Sequence, residues 1–446
     1  MVSNCYILLV TMTTICVMCW AGTTSGSGIL PSEVMYEWIY VDFDWPSEAV
    51  KQQYQQDGRY DRTHNLISGI KTYKGNIYVS VPRLKYTTGV PSTLNIVVQK
   101  GNTSVLRPFP DWASQQLGNC SALQCAMSME VDPITGYMYV IDPGRSGIFG
   151  NISNQTAPTI CPPKLVVYDL KDGRLVRSHD FPEDLVSNQT NFLNDIVLDR
   201  GNATSTVARW VYITDAVDSK LISFDLETNV TFTVQHSSMD YDEDSNITVN
   251  GKTYTLKTPI DGLAMSADFQ YVYYCALGSK KLYQVPARVL RSKDQNFAGN
   301  VRYVGPKISQ TGGMTCTSDN LYYGALTRNG VYRWEMIKDE KSQGVSAALV
   351  KMETETEIVH DDQNLQWPDS FTVDEYGYLW FTACRAQLFL LGGIDFTGTQ
   401  GSNYRIWRVK ISESSYLAPP HGSSNLLQAG KSIVVSFMIA FRLTFR

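Results

Sequence analysis

A short string of β-branched and aromatic residues recurs along the chain. It occupies residues 76–80, 137–141, 210–214, 271–275, 320–324 and 378–382, with Tyr78, Tyr139, Tyr212, Tyr273, Tyr322 and Trp380 at the centres. The spacing is roughly 50 to 70 residues, a period that marks repeated supersecondary units. A second string precedes each one, at residues 68–71, 127–130, 194–197, 261–264, 312–315 and 369–372. Turns rich in Asp and Gly separate the two, as in residues 132–136 and 374–377, and such turns join antiparallel strands. Alternating segments follow at 164–170, 220–225, 281–285, 330–334 and 404–409. Three or four strands per unit, repeated six times, predict an all-β fold: a six-bladed β-propeller with four-stranded antiparallel blades over residues 36–411. Residues 38–41 are expected to supply a strand to the last blade and so close the ring. The Gly-His and Trp-Asp signatures of WD40 repeats are missing.

The first string of each unit is expected to be the innermost strand, lining the axial channel. Aligned, the six strings place Ser68, Met127, Asn194, Asp261, Gly312 and Asp369 in one column, and Gly69, Ser128, Asp195, Gly262, Gly313 and Ser370 in the next. Equivalent strand starts converge on the axis. Asn194, Asp261 and Asp369 should therefore meet at one channel mouth, with Asp195 beside them and Met314 and Phe371 as an apolar wall. Two readings of these polar side chains stay open. They bind a cation or a charged ligand as the few convergent polar groups of an apolar pocket, or they accept backbone N–H bonds where the blades begin. His64 stands just before the first inner strand and is the histidine expected to reach the channel.

Bulk composition narrows the class. The chain has 446 residues, 43% hydrophobic and 18% charged, enough to bury a large core. The net charge of -5 and the lack of a Lys/Arg cluster argue against a nucleic-acid partner. H-E-x-x-H, G-x-S-x-G and P-loop motifs are absent, and no histidines stand at ligand spacing, so neither a metal nor a cofactor is expected. Residues 7–20 are apolar and are followed by Ala21-Gly22, which reads as a secretory signal over residues 1–22, although no Lys or Arg precedes Lys51. Eight N-x-Ser/Thr sequons, at Asn102, Asn119, Asn151, Asn154, Asn188, Asn202, Asn229 and Asn246, also point to an exported, extracellular glycoprotein. Six cysteines remain after the signal: Cys120, Cys125, Cys161, Cys275, Cys316 and Cys384. They are read as disulfide candidates, with a local bridge from Cys120 or Cys125 to Cys161. Residues 412–446 are read as a disordered tail; its apolar run 433–441 is too short for a stable membrane span.

Several strings, in this order, resemble the yellow / major royal jelly protein family. They are residues 38–46 (Trp-Ile-Tyr-Val-Asp-Phe-Asp-Trp-Pro), 81–83 with 89–94, 193–199 with 212–215, 261–266, and 365–371 with 379–382. The resemblance spans residues 36–411 and implies a secreted six-bladed propeller with an axial pocket. Members of that family are implied to play several roles: converting dopachrome in the melanin pathway, binding biogenic amines such as serotonin, or serving as nutritive or signalling proteins of glandular secretions. Four hypotheses follow. The first is a binder of an indole or catechol amine, its ammonium on Asp261 or Asp369 and its ring on Phe371 or Met314. The second is a dopachrome tautomerase using Asp261, Asp369 or His64 as acid and base. The third is a metal-dependent lactonase, which lacks the acidic ligand expected where Ser68-Gly69 stand. The fourth is a non-catalytic secreted protein.

Overall fold

The computed structural model describes residues 28–149, 157–293 and 296–419. Six four-stranded antiparallel sheets follow one another around an axis, so the chain is a six-bladed β-propeller. The innermost strands are Ile70–Tyr73, Met129–Asp132, Leu193–Asp199, Ile260–Met265, Met314–Cys316 and Pro368–Val373, in blades 1 to 6. The second strands are Asn76–Ser80, Tyr137–Asp142, Trp210–Asp215, Tyr271–Ala276, Leu321–Ala325 and Tyr378–Ala383. Their aromatic centres explain their burial: Tyr78, Tyr212, Tyr273 and Tyr322 are each at most 2% exposed. A sheet packed on both faces needs large β-formers there, each worth about 1.5–3 kcal/mol of apolar transfer. Buried Tyr hydroxyls still find partners, as Tyr212 does by donating to Asp199 Oδ2 at 2.6 Å.

The ring closes through the N-terminal strand Ser32–Trp38, which pairs with Tyr404–Lys410 as the outermost strand of blade 6. The closing strand therefore ends where the sequence reading had it begin. Its ladder stops because Asn403 takes the next two carbonyls, Trp38 O through its backbone N–H at 2.8 Å and Ile39 O through Nδ2 at 2.7 Å. The chain then crosses to blade 1. Trp38 Nε1 donates to Ser104 O at 2.7 Å, and Asp42 and Asp44 bracket Leu106 by backbone bonds of 2.9 and 2.8 Å. One segment thus fastens the last blade to the first, which removes the open edges a linear array would leave.

Residues 412–419, read as the start of a loose tail, are docked instead. Tyr416 and Leu417 are 5% and 1% exposed, Thr317 pairs with Ser415, and Arg200 donates to the Leu417 carbonyl at 2.9 Å. Apolar burial plus a fixed carbonyl holds this segment against the inner strands. Residues 420–446 and residues 1–22, read as a secretory signal, lie outside the described residues, as do Asn151 and Asn154. Among the other sequons Asn102, Asn119, Asn202, Asn229 and Asn246 are exposed, and Asn188 is half-buried.

Cys120 and Cys161 form a disulfide. Cys125, Cys275, Cys316 and Cys384 are free thiols, which corrects their reading as disulfide candidates. The reason is placement: they belong to four different blades, 2, 4, 5 and 6, and each is fully buried. Among the described residues no helix is long and apolar enough to cross a membrane.

Candidate binding site

In four of the blades the inner strand enters the channel through an irregularity that sets the site. In blades 3, 4 and 6 the register slips between Leu193 and Ile196, Ile260 and Leu263, and Pro368 and Phe371. In blade 1 both Ser68 and Gly69 bond to the one residue Ser80. Two residues thus stand where a regular ladder has one, as in a bulge, and two successive side chains are re-aimed. Hydroxyls of the second strand take up the displaced backbone groups. Ser80, Thr214 and Thr382 accept from the N–H of Gly69, Asp195 and Ser370, at 2.8, 3.0 and 3.3 Å. The same hydroxyls donate to the carbonyls of Met127, Asp261 and Ser68 on the next blade, at 2.7, 2.8 and 2.8 Å. The inner strands are thereby pinned to one another around the ring.

The first aligned column forms a tier of contacts. Asn194 Nδ2 donates to Asp261 Oδ1 at 2.7 Å. Ser68 Oγ donates to Asp369 Oδ2 at 3.0 Å, and Trp367 Nε1 to Asp369 Oδ1 at 3.2 Å. Gly312 lies between the two acids. Asp261 is 6% exposed, and its Oδ2 has no hydrogen bond among the described residues. The second column is a set of struts. Asp195 accepts from Ser128 Oγ at 3.3 Å, from Ile196 N at 2.9 Å and from Leu263 N of the next blade at 3.0 Å. Ser370 Oγ accepts from Ile70 N at 3.2 Å in the same way. Asp195 therefore lines the channel with its oxygens already occupied, as the N–H-accepting reading of these side chains has it.

These groups surround an axial cavity of about 230 Å³. Leu66, Leu84, Phe192, Leu256, Leu277 and Leu390 line it together with the acids, and Met314 and Phe371 contribute the apolar wall expected of them. At the opposite end Lys71 Nζ donates to Glu130 Oε2 at 3.1 Å and to Phe371 O at 3.0 Å, and Tyr416 OH donates to Glu130 Oε2 at 3.1 Å. Burial pushes all three aspartates up. Asp195 rises to about 7 and Asp369 to about 6, burial outweighing the hydrogen bonds that favour their ionised forms. Asp261 rises well above the ordinary carboxylate range, through burial first, then through repulsion from Asp369 and Asp195.

His64 does not join this group. Its ring stacks on Tyr86 at 3.6 Å and its Nδ1 pairs with Thr88 O at 3.0 Å, away from the cavity lining. It belongs to a short 3-10 turn, Arg62–His64, ahead of the first inner strand, and its ring is taken up by the loop carrying Tyr86 and Thr88. Lys71, Glu130, Trp367 and Tyr416 were not singled out from the sequence. The first two form the fourth column of the same alignment, where charge in a buried strand was the available signal. Tyr416 had no such signal, because nothing local says that its segment folds back. No group of three His, Cys, Asp or Glu side chains among the described residues is arranged to hold a metal ion.

The family model described as Major royal jelly protein matches residues 124–416. Major royal jelly protein 7 of Apis mellifera is 30% identical over 309 residues, covering 68% of this chain and 67% of that protein. Major royal jelly protein 3 of Apis mellifera is 28% identical over 306 residues, and the chain spans 54% of its length and 67% of its own. Protein yellow of Drosophila subobscura is 24% identical over 395 residues, covering 84% of this chain and 65% of that protein.

Proposed function

The chain belongs to the major royal jelly protein family, and from that premise we propose that it is a secreted, glycosylated propeller that binds a small aromatic amine in its axial cavity. The observation that carries this reading is Asp261: a carboxylate inside a largely apolar cavity, one oxygen without a partner, with Asp369 close by. Among the described residues that line the cavity are four acids, Glu130, Asp195, Asp261 and Asp369, and one cation, Lys71, which already serves Glu130. An ammonium group offsets the remaining negative charge and the desolvation of the acids in one step. The apolar walls and Phe371 favour a ring over a sugar or peptide. The volume, below the roughly 300–1,000 Å³ of typical ligand pockets, favours one small molecule. Calorimetry with serotonin and dopamine tests the proposal; no heat with either amine removes it. Secretion and glycosylation are tested separately, by recovery of the chain from the medium and a loss of mass on enzymatic deglycosylation.

A second reading, conversion of dopachrome, is favoured by one observation. A carboxyl raised to about 6, as at Asp369 on the cavity wall, exchanges a proton readily near neutral pH. If the purified protein bleaches dopachrome no faster than buffer, this second reading is lost and the first is untouched.

A further inference from the structure

We propose that Lys71 is a nucleophile: its Nζ captures the carbonyl carbon of a small apolar aldehyde as an imine, with Glu130 carrying the protons. The inference goes beyond amine binding. It stands on the end of the cavity away from Asp261 and Asp369 and needs neither of those acids.

An amine, a carboxylate and a phenol meet at that end. Lys71 Nζ donates to Glu130 Oε2 at 3.1 Å and to Phe371 O at 3.0 Å, which uses two of its three donors. Glu130 is fixed beside the amine. Its Oε1 accepts from Val131 N at 2.9 Å, and its Oε2 also accepts from Tyr416 OH at 3.1 Å. Lys71 and Glu130 both line the cavity, with side chains 11% and 8% exposed.

The fold does not require these charges. The equivalent positions of blades 3 to 6 are Val197, Ala264, Thr315 and Thr372, all neutral. A buried ion pair is a poor stabiliser, because desolvation of the two charges consumes most of their attraction. An amine and a carboxylate in contact on a cavity wall are, by contrast, the two groups that imine formation needs. An anionic ligand suits Lys71 less well. Its ammonium is already matched by Glu130, and Asp195, Asp261 and Asp369 would repel a further negative charge. A neutral carbonyl meets no such repulsion, and Met314 and Phe371 offer a wall to its apolar remainder.

Glu130 Oε2 takes one proton from Lys71 Nζ, and the freed lone pair attacks the carbonyl carbon. The C–N bond forms as the C=O π pair moves onto oxygen. A proton then passes from nitrogen to that oxygen, which gives a neutral carbinolamine. Glu130 returns its proton to the hydroxyl, the C–O bond breaks and water leaves, while the nitrogen lone pair closes the C=N bond. The product is a protonated imine, so the positive charge stays beside the Glu130 carboxylate.

The test is reductive trapping on the full-length protein with benzaldehyde and cyanoborohydride, read by peptide mass mapping. Hydride adds to the imine carbon and fixes one benzyl group on the amine. Lys71 is expected to be labelled about tenfold faster than Lys100 and Lys338, whose side chains are 56% and 62% exposed. Glu130→Gln is expected to slow labelling of Lys71 by about 100-fold. That variant leaves a buried ammonium without its partner. Should it fail to fold, the wild type decides alone, by its labelling pattern with and without urea. Labelling of Lys71 no faster than of the exposed lysines overturns the proposal, and so does a preference for Lys71 that survives unfolding in urea. A wild-type rate in folded Glu130→Gln overturns it as well. Absence of heat with serotonin and dopamine removes the amine reading and leaves the imine standing.

Discussion

Asn194 on the inner strand of blade 3 donates its Nδ2 to Asp261 Oδ1 on the inner strand of blade 4 across 2.7 Å. The two residues are distant in sequence and occupy the same place in successive repeats. This bond favours the ionised form of Asp261 against burial and two neighbouring acids. It also leaves the other Asp261 oxygen directed to the cavity rather than to the protein.

Asn194→Leu is therefore expected to raise the Asp261 pKa further and to weaken amine binding at pH 7 by about tenfold. Raising the pH to 9 should restore part of the loss, because higher pH favours the same ionised form of Asp261 that the Asn194 bond supports. Titrations at the two pH values measure this. An equal deficit at both would mean that Asn194 acts on ligand fit alone.

Asp369 and Asp195 rise to about 6 and about 7, and Asp261 rises as well. Unfolded aspartates titrate near 3.9. The folded, ligand-free state thus binds these protons more tightly than the unfolded chain. The contribution of Asp369 and Asp195 to stability is complete below about pH 4 and is lost as pH rises through about 6 to 7. Asp369→Asn should have a higher unfolding temperature than the wild type at pH 8, and the gap should shrink by pH 5. Amine affinity of the wild type should run the other way, rising from pH 5 to pH 8 as the acids ionise. Scanning calorimetry across that range checks both; a variant no more stable than wild type at pH 8 would contradict the assigned shift.

Arg200 Nη2 meets Asp132 Oδ1 at 2.6 Å, with side chains only 1% and 0% exposed, and also holds the Leu417 carbonyl. Removing one partner of such a pair leaves an uncompensated buried charge. Arg200→Met is expected to cost about 3–5 kcal/mol in urea unfolding, and the double change Arg200→Met, Asp132→Leu to recover much of it. If the double variant is no better than the single, the loss comes from the docked segment around Tyr416 and not from the stranded acid.

Among the described residues four cysteines are free and buried, and one bridge links Cys120 to Cys161. Alkylation of the native protein should therefore modify none of Cys125, Cys275, Cys316 and Cys384, and alkylation in denaturant without reductant should modify all four. Intact mass before and after reads the count. Fewer additions in denaturant would reveal a further bridge.

Repetition made the fold legible. Six copies of a strand pair, each with an aromatic centre, can bury both faces only by stacking radially, so the architecture follows from local pattern plus the need to hide sheet faces. The column containing Asn194, Asp261 and Asp369 was legible for the same reason, since equivalent positions of a closed ring meet at its axis. Local sequence could not say which polar groups would be used up by the frame. Asp195 looks like its neighbours in the alignment, yet a one-residue slip turns it into a strut between blades. Arg83, in the Val81-Pro82-Arg83 string, proves to be wholly buried, donating to the carbonyls of Val90 and Gln115.

Periodicity thus determined, from the sequence by itself, the class, the blade count and the ring of candidate residues, because each depends on residues near one another in the chain. Which strand closes the ring, where His64 points, which cysteines pair, and that Tyr416 closes the far end of the cavity were decided only by the tertiary structure. Those features depend on contacts between segments hundreds of residues apart, such as Tyr416 with Glu130, and no local preference encodes them.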